Sequence, residues 1–299
     1  PIMASRLMLK GPLDLRQPTI IAAFTGWPDA AEAASRAVDF MRVALDARSA
    51  GRIAGDDFYD LSSTRPMVTV RRGLARSMRY PTTTIHAWRS PDDPEHDLLL
   101  LSGPEPNLRW REYIETILEL AAQCEARIVY SLGSMFAAVP HTRPVRIAMA
   151  AAQVEARRQL ERLGTSPISY EGPGSIHTAI LDTCRRRRVA AATLWGQAPA
   201  YAQLNWSPRV SLALVEALRD ATGIPLDLAL LRAKATQVDN LLDRLVQGDE
   251  DVRRTVEVYE QRYDGEPAAH SSLPSAEAIV NEVEAFLRGD QRNRELDDL

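Results

Sequence analysis

Cysteine is almost missing: Cys124 and Cys184 are the only two in 299 residues. Two isolated thiols exclude a disulfide framework and a zinc cluster, so each reads as a small buried hydrophobe on a helix. Lysine is nearly absent as well. Lys10 and Lys234 stand alone among 36 basic residues, and arginine supplies the rest. The formal net charge is still −4, which argues against nucleic acid as a partner. No apolar run approaches the roughly 20 residues that span a bilayer, and residues 1–10 (PIMASRLMLK) lack the apolar core of a signal peptide. The expectation is therefore a cytoplasmic protein without membrane contact. The glycines form neither a Walker nor a Rossmann pattern, and His86, His96, His177 and His270 lack ligand spacing, so neither metal nor cofactor is expected.

What is present is an alternation of two periods. Residues 19–24 (TIIAAF), 127–132 (RIVYSL), 145–149 and 189–194 (VAAATL) are short apolar runs that read as buried strands. Between them lie helical stripes: Ala34, Ala37, Val38, Met41 and Leu45; then Trp110, Tyr113, Ile114, Ile117, Leu118 and Ala121 behind an Asn107 cap. Helices also fit residues 153–163 and 175–188, and a fifth starts at Ser207-Pro208 and ends at Gly223. Such alternation predicts an α/β fold with a mainly parallel sheet and helices on both faces. Residues 67–70, 84–88 and 98–101 read as a strand-rich insertion or a sheet edge.

Beyond residue 232 the strands stop. Residues 233–299 carry 8 basic and 16 acidic side chains, against 28 and 24 in residues 1–232. The chain thus divides into a core domain, 1–232, and an acidic helical extension, 233–299. Three amphipathic helices are expected there, at 238–246, 249–263 and 275–287, docked by their apolar stripes, before a polar end that frays.

Four loops collect chemistry. In an open α/β sheet, ligands bind outside the carboxyl ends of the strands. Gly26, Trp27 and Asp29 follow the first strand; Gly133 and Ser134, with His141, Thr142 and Arg143 downstream, follow another; Trp195 follows a third. Glu171, Gly172, Gly174 and Ser175 instead open a helix, where free N–H groups favour an anion; a phosphate or carboxylate cradle and a plain capped helix start both fit. Asp29 is placed to cap a helix. Arg143, before Pro144, is placed either to grip an anion or to lock a loop. His141 has no Ser/His/Asp or Cys/His companions, and Gly133-Ser134-Met135 is no nucleophile elbow. A single concave patch is expected to join the loop after 127–132 with Trp27, Glu171 and Trp195.

Residues 24–30 (FTGWPDA), 103–106 (GPEP), 131–133 (SLG), 139–144 (VPHTRP), 170–173 (YEGP) and 194–196 (LWG) together resemble the proteasome assembly chaperone type 2 family, closest to its actinobacterial members. The likeness runs in order from about 19 to 230, and residues 233–299 look like the extension those bacterial members carry. It implies a three-layer α/β/α domain, phosphorylase- or hydrolase-like in architecture, an oligomeric state above monomer, and no established catalytic activity. Eukaryotic relatives act as non-enzymatic chaperones of proteasome α-ring assembly. Some relatives grip the proteasome through a hydrophobic-Tyr-any tail, whereas residues 295–299 read ELDDL, so insertion of that kind is not expected.

Two functional readings remain open. In one, the protein is a homo-oligomer, a trimer by preference, with a protein partner and a rigid loop surface. In the other, the same loops line a pocket for a nucleoside-like or anionic small molecule.

Overall fold

The computed structural model describes residues 6–55, 57–202 and 204–265. In chain order the elements are β1 (Leu7–Leu9), β2 (Thr19–Thr25), α1 (Ala33–Ala44), β3 (Arg48–Ile53), β4 (Met67–Arg71), β5 (Leu74–Arg79), β6 (Thr83–Trp88), β7 (Leu98–Pro104), α2 (Trp110–Gln123), β8 (Ile128–Ala137), β9 (Ile147–Ala151), α3 (Val154–Arg162), β10 (Ser166–Pro167), α4 (Ile176–Arg187), β11 (Ala191–Pro199), α5 (Pro208–Thr222), α6 (Ala229–Gly248) and α7 (Glu250–Gly265). Nine strands form one sheet in the order β1-β3-β6-β7-β2-β8-β11-β9-β10, while β4 and β5 make a separate two-stranded ribbon. The four strands β7, β2, β8 and β11 are parallel; β6 and β9 flank them antiparallel.

Period-2 alternation in the central strands divides the core. Ile20, Ala22 and Phe24 of β2 face α2 and α4, where Tyr113, Ile117, Ile176 and Ile180 are buried. Ile21 and Ala23 face α1 and α5, with Ala37, Met41, Val210 and Leu214. A strand can be apolar on every residue only where both faces are covered. The same rule moves residues 98–101 from the expected sheet edge to its interior: Leu98 and Leu100 fill one core, Leu99 and Leu101 the other.

Two strands run past their expected ends. β8 continues through Gly133 and Ser134, and β11 through Trp195 and Gly196, because the two stay in register as far as Ala137 and Pro199. Asn107 does not cap α2, whose N-cap is Arg109. Its Oδ1 instead accepts from the Asp60 backbone N–H and the Thr64 hydroxyl, tying down the preceding loop. Both cysteines are buried and free, and burial pushes the Cys184 thiol up to about 12.

α6 lies along α5, burying Leu231, Ala235 and Leu242, while Leu241 and Leu245 of the expected stripe remain exposed. Arg209 clamps Asp239 through two hydrogen bonds of 2.8 and 2.5 Å, and Arg232 reaches Glu216 at 2.8 Å. Asp249 caps α7 by accepting from the N–H groups of Asp251 and Val252. The helix expected at 275–287 and the polar end 289–299 lie outside the described residues. Leu242→Ala removes most of a side chain 4 % exposed between α6 and the body; urea unfolding should show a loss of about 2–5 kcal/mol.

Candidate functional site

The turn after β2 is built around Asp29. Gly26 sits at φ 119°, a conformation open to glycine, and lets the chain reverse with Trp27 left exposed. Asp29 is buried, and its Oδ1 accepts from the backbone N–H groups of Ala34 (2.8 Å) and Ser35 (3.3 Å) and from the Ser134 hydroxyl (3.2 Å). Burial raises its pKa, and the hydrogen bonds oppose that rise. The Ser134 N–H donates to the Pro28 carbonyl at 2.9 Å, so turn and strand are stitched twice. Asp29 thus acts as the expected cap of α1, reaching across left-handed Ala31 (φ 51°) and Glu32 (φ 44°).

At α4 the expected anion cradle meets an anion of the chain itself. Glu105 Oε1 accepts from the Ile176 N–H at 2.8 Å, and burial pushes the Glu105 pKa upward. Thr178 completes the helix start, its hydroxyl accepting from the Ser175 N–H at 2.9 Å. Glu171, Gly172 and Gly174 are exposed in the loop before it, where the Tyr170 hydroxyl donates to the Pro173 carbonyl. In the first turn of α4, His177 is fully buried between Phe24 and Trp195, with ring centroids 5.4 and 5.3 Å away. Neither ring nitrogen has a partner among the described residues, and burial pushes its pKa down to about 3. Trp195 in turn packs against Gly133: a Cβ there would stand 2.6 Å from the indole, so only glycine admits the ring.

The downstream residues make a different set of contacts. His141 is buried; its backbone N–H donates to the Tyr201 oxygen (2.9 Å), whose hydroxyl stands 2.5 Å from Nδ1, while Nε2 faces Asp243 Oδ1 of α6 at 3.1 Å. Both ring nitrogens are therefore engaged, and the geometry fits the Nε2–H tautomer. Burial pushes the Tyr201 phenol up to about 12. Thr142 hydrogen-bonds Glu260 of α7. Arg143 forks onto Asp264, with Nε to Oδ1 at 2.9 Å and Nη2 to Oδ2 at 2.7 Å, and Nη1 reaches Glu260 at 3.1 Å. That hydrogen bonding raises the Arg143 pKa and lowers that of Asp264. Arg146 stacks 3.7 Å over the Tyr263 ring, and the Tyr263 hydroxyl donates to the Pro144 carbonyl. A cavity of about 20 Å³, water-sized, remains between Pro140, Val145, Ser207, Val210, Val238 and Leu242.

The structure thus joins Asp29 with Ser134 and Gly133 with Trp195, and gives His141, Thr142 and Arg143 to the helical arm. Sequence reasoning missed Glu105, Asp243, Glu260 and Asp264, the acceptors that occupy these donors. For the last three, the acidity of residues 233–299 was the available signal. Among the described residues no group of three or more His, Cys, Asp or Glu side chains is placed to hold a metal ion, and no helix is long and apolar enough to cross a membrane.

Fold and edge together define an α/β protein with a mixed, centrally parallel sheet whose loop between β8 and β9 is tied by helices α6 and α7. The PAC2 family model matches residues 23–246, and the chain belongs to that family. Among solved structures, a proteasome-assembly chaperone homologue from Mycobacterium tuberculosis is 29 % identical, covering 80 % of this chain and 99 % of its own, with a TM-score of 0.73. A PAC2 family protein from Streptomyces avermitilis is 30 % identical over the same shares, with a TM-score of 0.72. An archaeal proteasome activator from Pyrococcus furiosus shares the fold at 16 % identity, 80 % and 97 % coverage and a TM-score of 0.64. No curated protein matches.

Arg143→Ala should leave the sheet intact but release the end of α7, read as faster amide hydrogen exchange in residues 256–265 with unchanged exchange in β2 and β8. His177 adds a pH signature. Its folded pKa lies below the ordinary 6.5, so the unfolded chain binds the extra proton, and stability falls as pH drops from about 6.5 toward 3. The slope reaches about 1.4 kcal/mol per pH unit. His177→Leu should flatten this part of the stability profile in urea titrations at pH 7, 6, 5 and 4; an unchanged slope would assign the acid sensitivity elsewhere.

Proposed function

We propose that this protein is a non-enzymatic interaction or assembly protein, a chaperone-like member of its family that works in the cytoplasm as a homo-oligomer, a trimer by preference. The observation that carries the reading is the self-occupation of the carboxyl edge. His141 is held by Tyr201 and Asp243, Arg143 by Asp264 and Glu260, and the start of α4 by Glu105. Groups held on both sides serve as rigid struts, which suits a surface that must keep its shape for a macromolecular partner. The printed descriptions of the relatives, a proteasome-assembly chaperone homologue and a proteasome activator, support protein as the class of partner.

Two measurements on the full chain test this. Light scattering at micromolar concentration should give a mass above the 33.2 kDa of one chain. Thermal shift with millimolar phosphate, sulfate, nucleosides and nucleotides should give no saturable rise, whereas a ligand present at 100 times its Kd adds about 2.7 kcal/mol of stability. A single-chain mass together with a saturable rise would replace the assembly reading with the small-molecule one.

A further inference from the structure

The opposite edge of the sheet holds a groove that the described residues leave open. β1 ends there at Leu9, β3 begins at Arg48, and β6 ends at Trp88, which pairs with Leu98, the first residue of β7. This is the amino edge of the parallel strands, at the end away from the loops that carry Trp27 and Arg143. About 690 Å³ of space lies there between residues 10–15, the turn after α1 and the ends of β3 and β6. Small-molecule sites run to about 300–1,000 Å³. The cavity beside His141, at about 20 Å³, has room for a water.

The walls of the groove are held in place. Arg16, just after the wall formed by residues 10–15, gives its backbone N–H (2.8 Å) and its guanidinium (3.1 and 2.8 Å) to Asp97, which has no exposed surface. The same carboxylate accepts from the Ser90 N–H at 2.9 Å, so one buried anion pins that wall and the chain beyond β6 together. At the other end of the wall, the Lys10 N–H donates to the Ala50 carbonyl at 2.9 Å. A site whose walls are fixed beforehand loses little ordering entropy when a ligand arrives.

The lining selects the chemistry. Leu13, Leu15, Leu45 and Trp88 are half-buried; each packs on one of the two cores and also lines the groove. An indole among aliphatic side chains suits a flat, apolar body. Lys10, Arg48, Arg89, Asp14 and Asp46 line the same space, and Arg89 is paired with Asp14. The side chains of Lys10, Arg48 and Asp46 have no hydrogen-bond or ion-pair partner among the described residues, so three cations against two anions leave one positive charge over. A single carboxylate offsets that charge and gives both free cations an acceptor. A nucleotide would instead set its phosphates against Asp46.

We propose that this amino-edge groove binds a small aromatic carboxylate, with its ring against Trp88 and its carboxylate between Lys10 and Arg48. The groove shares no residue with the carboxyl edge on which the assembly reading rests. It therefore goes beyond that reading, and the two fail separately.

The test titrates the full chain by calorimetry with cinnamate, beside cinnamamide, which has the same flat body and no charge. Wild type should bind cinnamate saturably. The amide, and cinnamate with the variant Lys10→Glu and Arg48→Glu, should bind more weakly by about tenfold or more, the factor for losing a charged hydrogen bond. Asp46→Asn should tighten cinnamate binding. Asparagine suits the left-handed φ of 50° there, and Lys10, Asp46 and Arg48 are exposed and outside both cores. Arg185→Glu with Arg186→Glu, exposed on α4, makes the same change in net charge and should bind as wild type does. No saturable heat with wild type overturns the proposal, as does an amide that binds as well as the acid. Equal losses in the two charge-reversed variants also overturn it, because net charge alone then accounts for the binding. Circular dichroism and thermal midpoints check folding. If the Lys10 and Arg48 variant does not fold, Asp46→Asn carries the test, and unchanged or weaker binding there overturns the proposal.

Discussion

Burial of β2 on both faces is the constraint from which the rest follows. Ile20 to Phe24 have no exposed surface, and no single layer of helices can cover five consecutive residues of a pleated strand. Helices must therefore lie on both sides, and the strands beside β2 inherit the demand. β7 meets it with four leucines, and β8 and β11 with alternating partners for α1 and α5 on one face, α2 and α4 on the other. The flanking strands β6 and β9 are also paired on both edges, but each runs antiparallel to its neighbour among the central four.

The carboxyl edge of such a sheet gathers donors and acceptors that the strands cannot use. Here the chain answers most of them from a distance. The turn after β2 closes through Asp29 on the start of α1, the turn after β7 sends Glu105 to the start of α4, and the loop before β9 spends its histidine and arginine on α6 and α7. Arginine suits this work because its planar fork meets a carboxylate with two parallel hydrogen bonds, as Arg143 does with Asp264 and Arg209 with Asp239. The near absence of lysine finds a structural use in these forks, whatever its origin in the coding sequence.

How far the fold could be read depended on period. The buried parallel strands and the amphipathic helices announce themselves, and the α/β class follows from their order. β3, with the sequence RSAGRI, does not: it is an outer antiparallel strand that alternates weakly, so local pattern is silent about it. Gly133 stands just after the strand expected at 127–132, and its reason is the indole of Trp195, 62 positions away in sequence and adjacent only through the β8–β11 register. The same limit applies to the candidate site. The residue types were legible, and so was the choice for Arg143 between gripping an anion and locking a loop. Which acid it meets was not, because Asp264 lies 121 residues downstream and local sequence carries no trace of that pairing. The acidity of the extension hinted at the outcome without giving the address.

α7 ends at Gly265 with Tyr263 hydrogen-bonded to Pro144, on the loop that leads into β9. The chain thus returns, 119 residues on, to the loop it left at Pro144. The contacts that join this loop to α7 are intramolecular, so their occupancy does not depend on the amount of protein in solution. Dilution leaves them closed, and contacts too weak to hold two free molecules together suffice there.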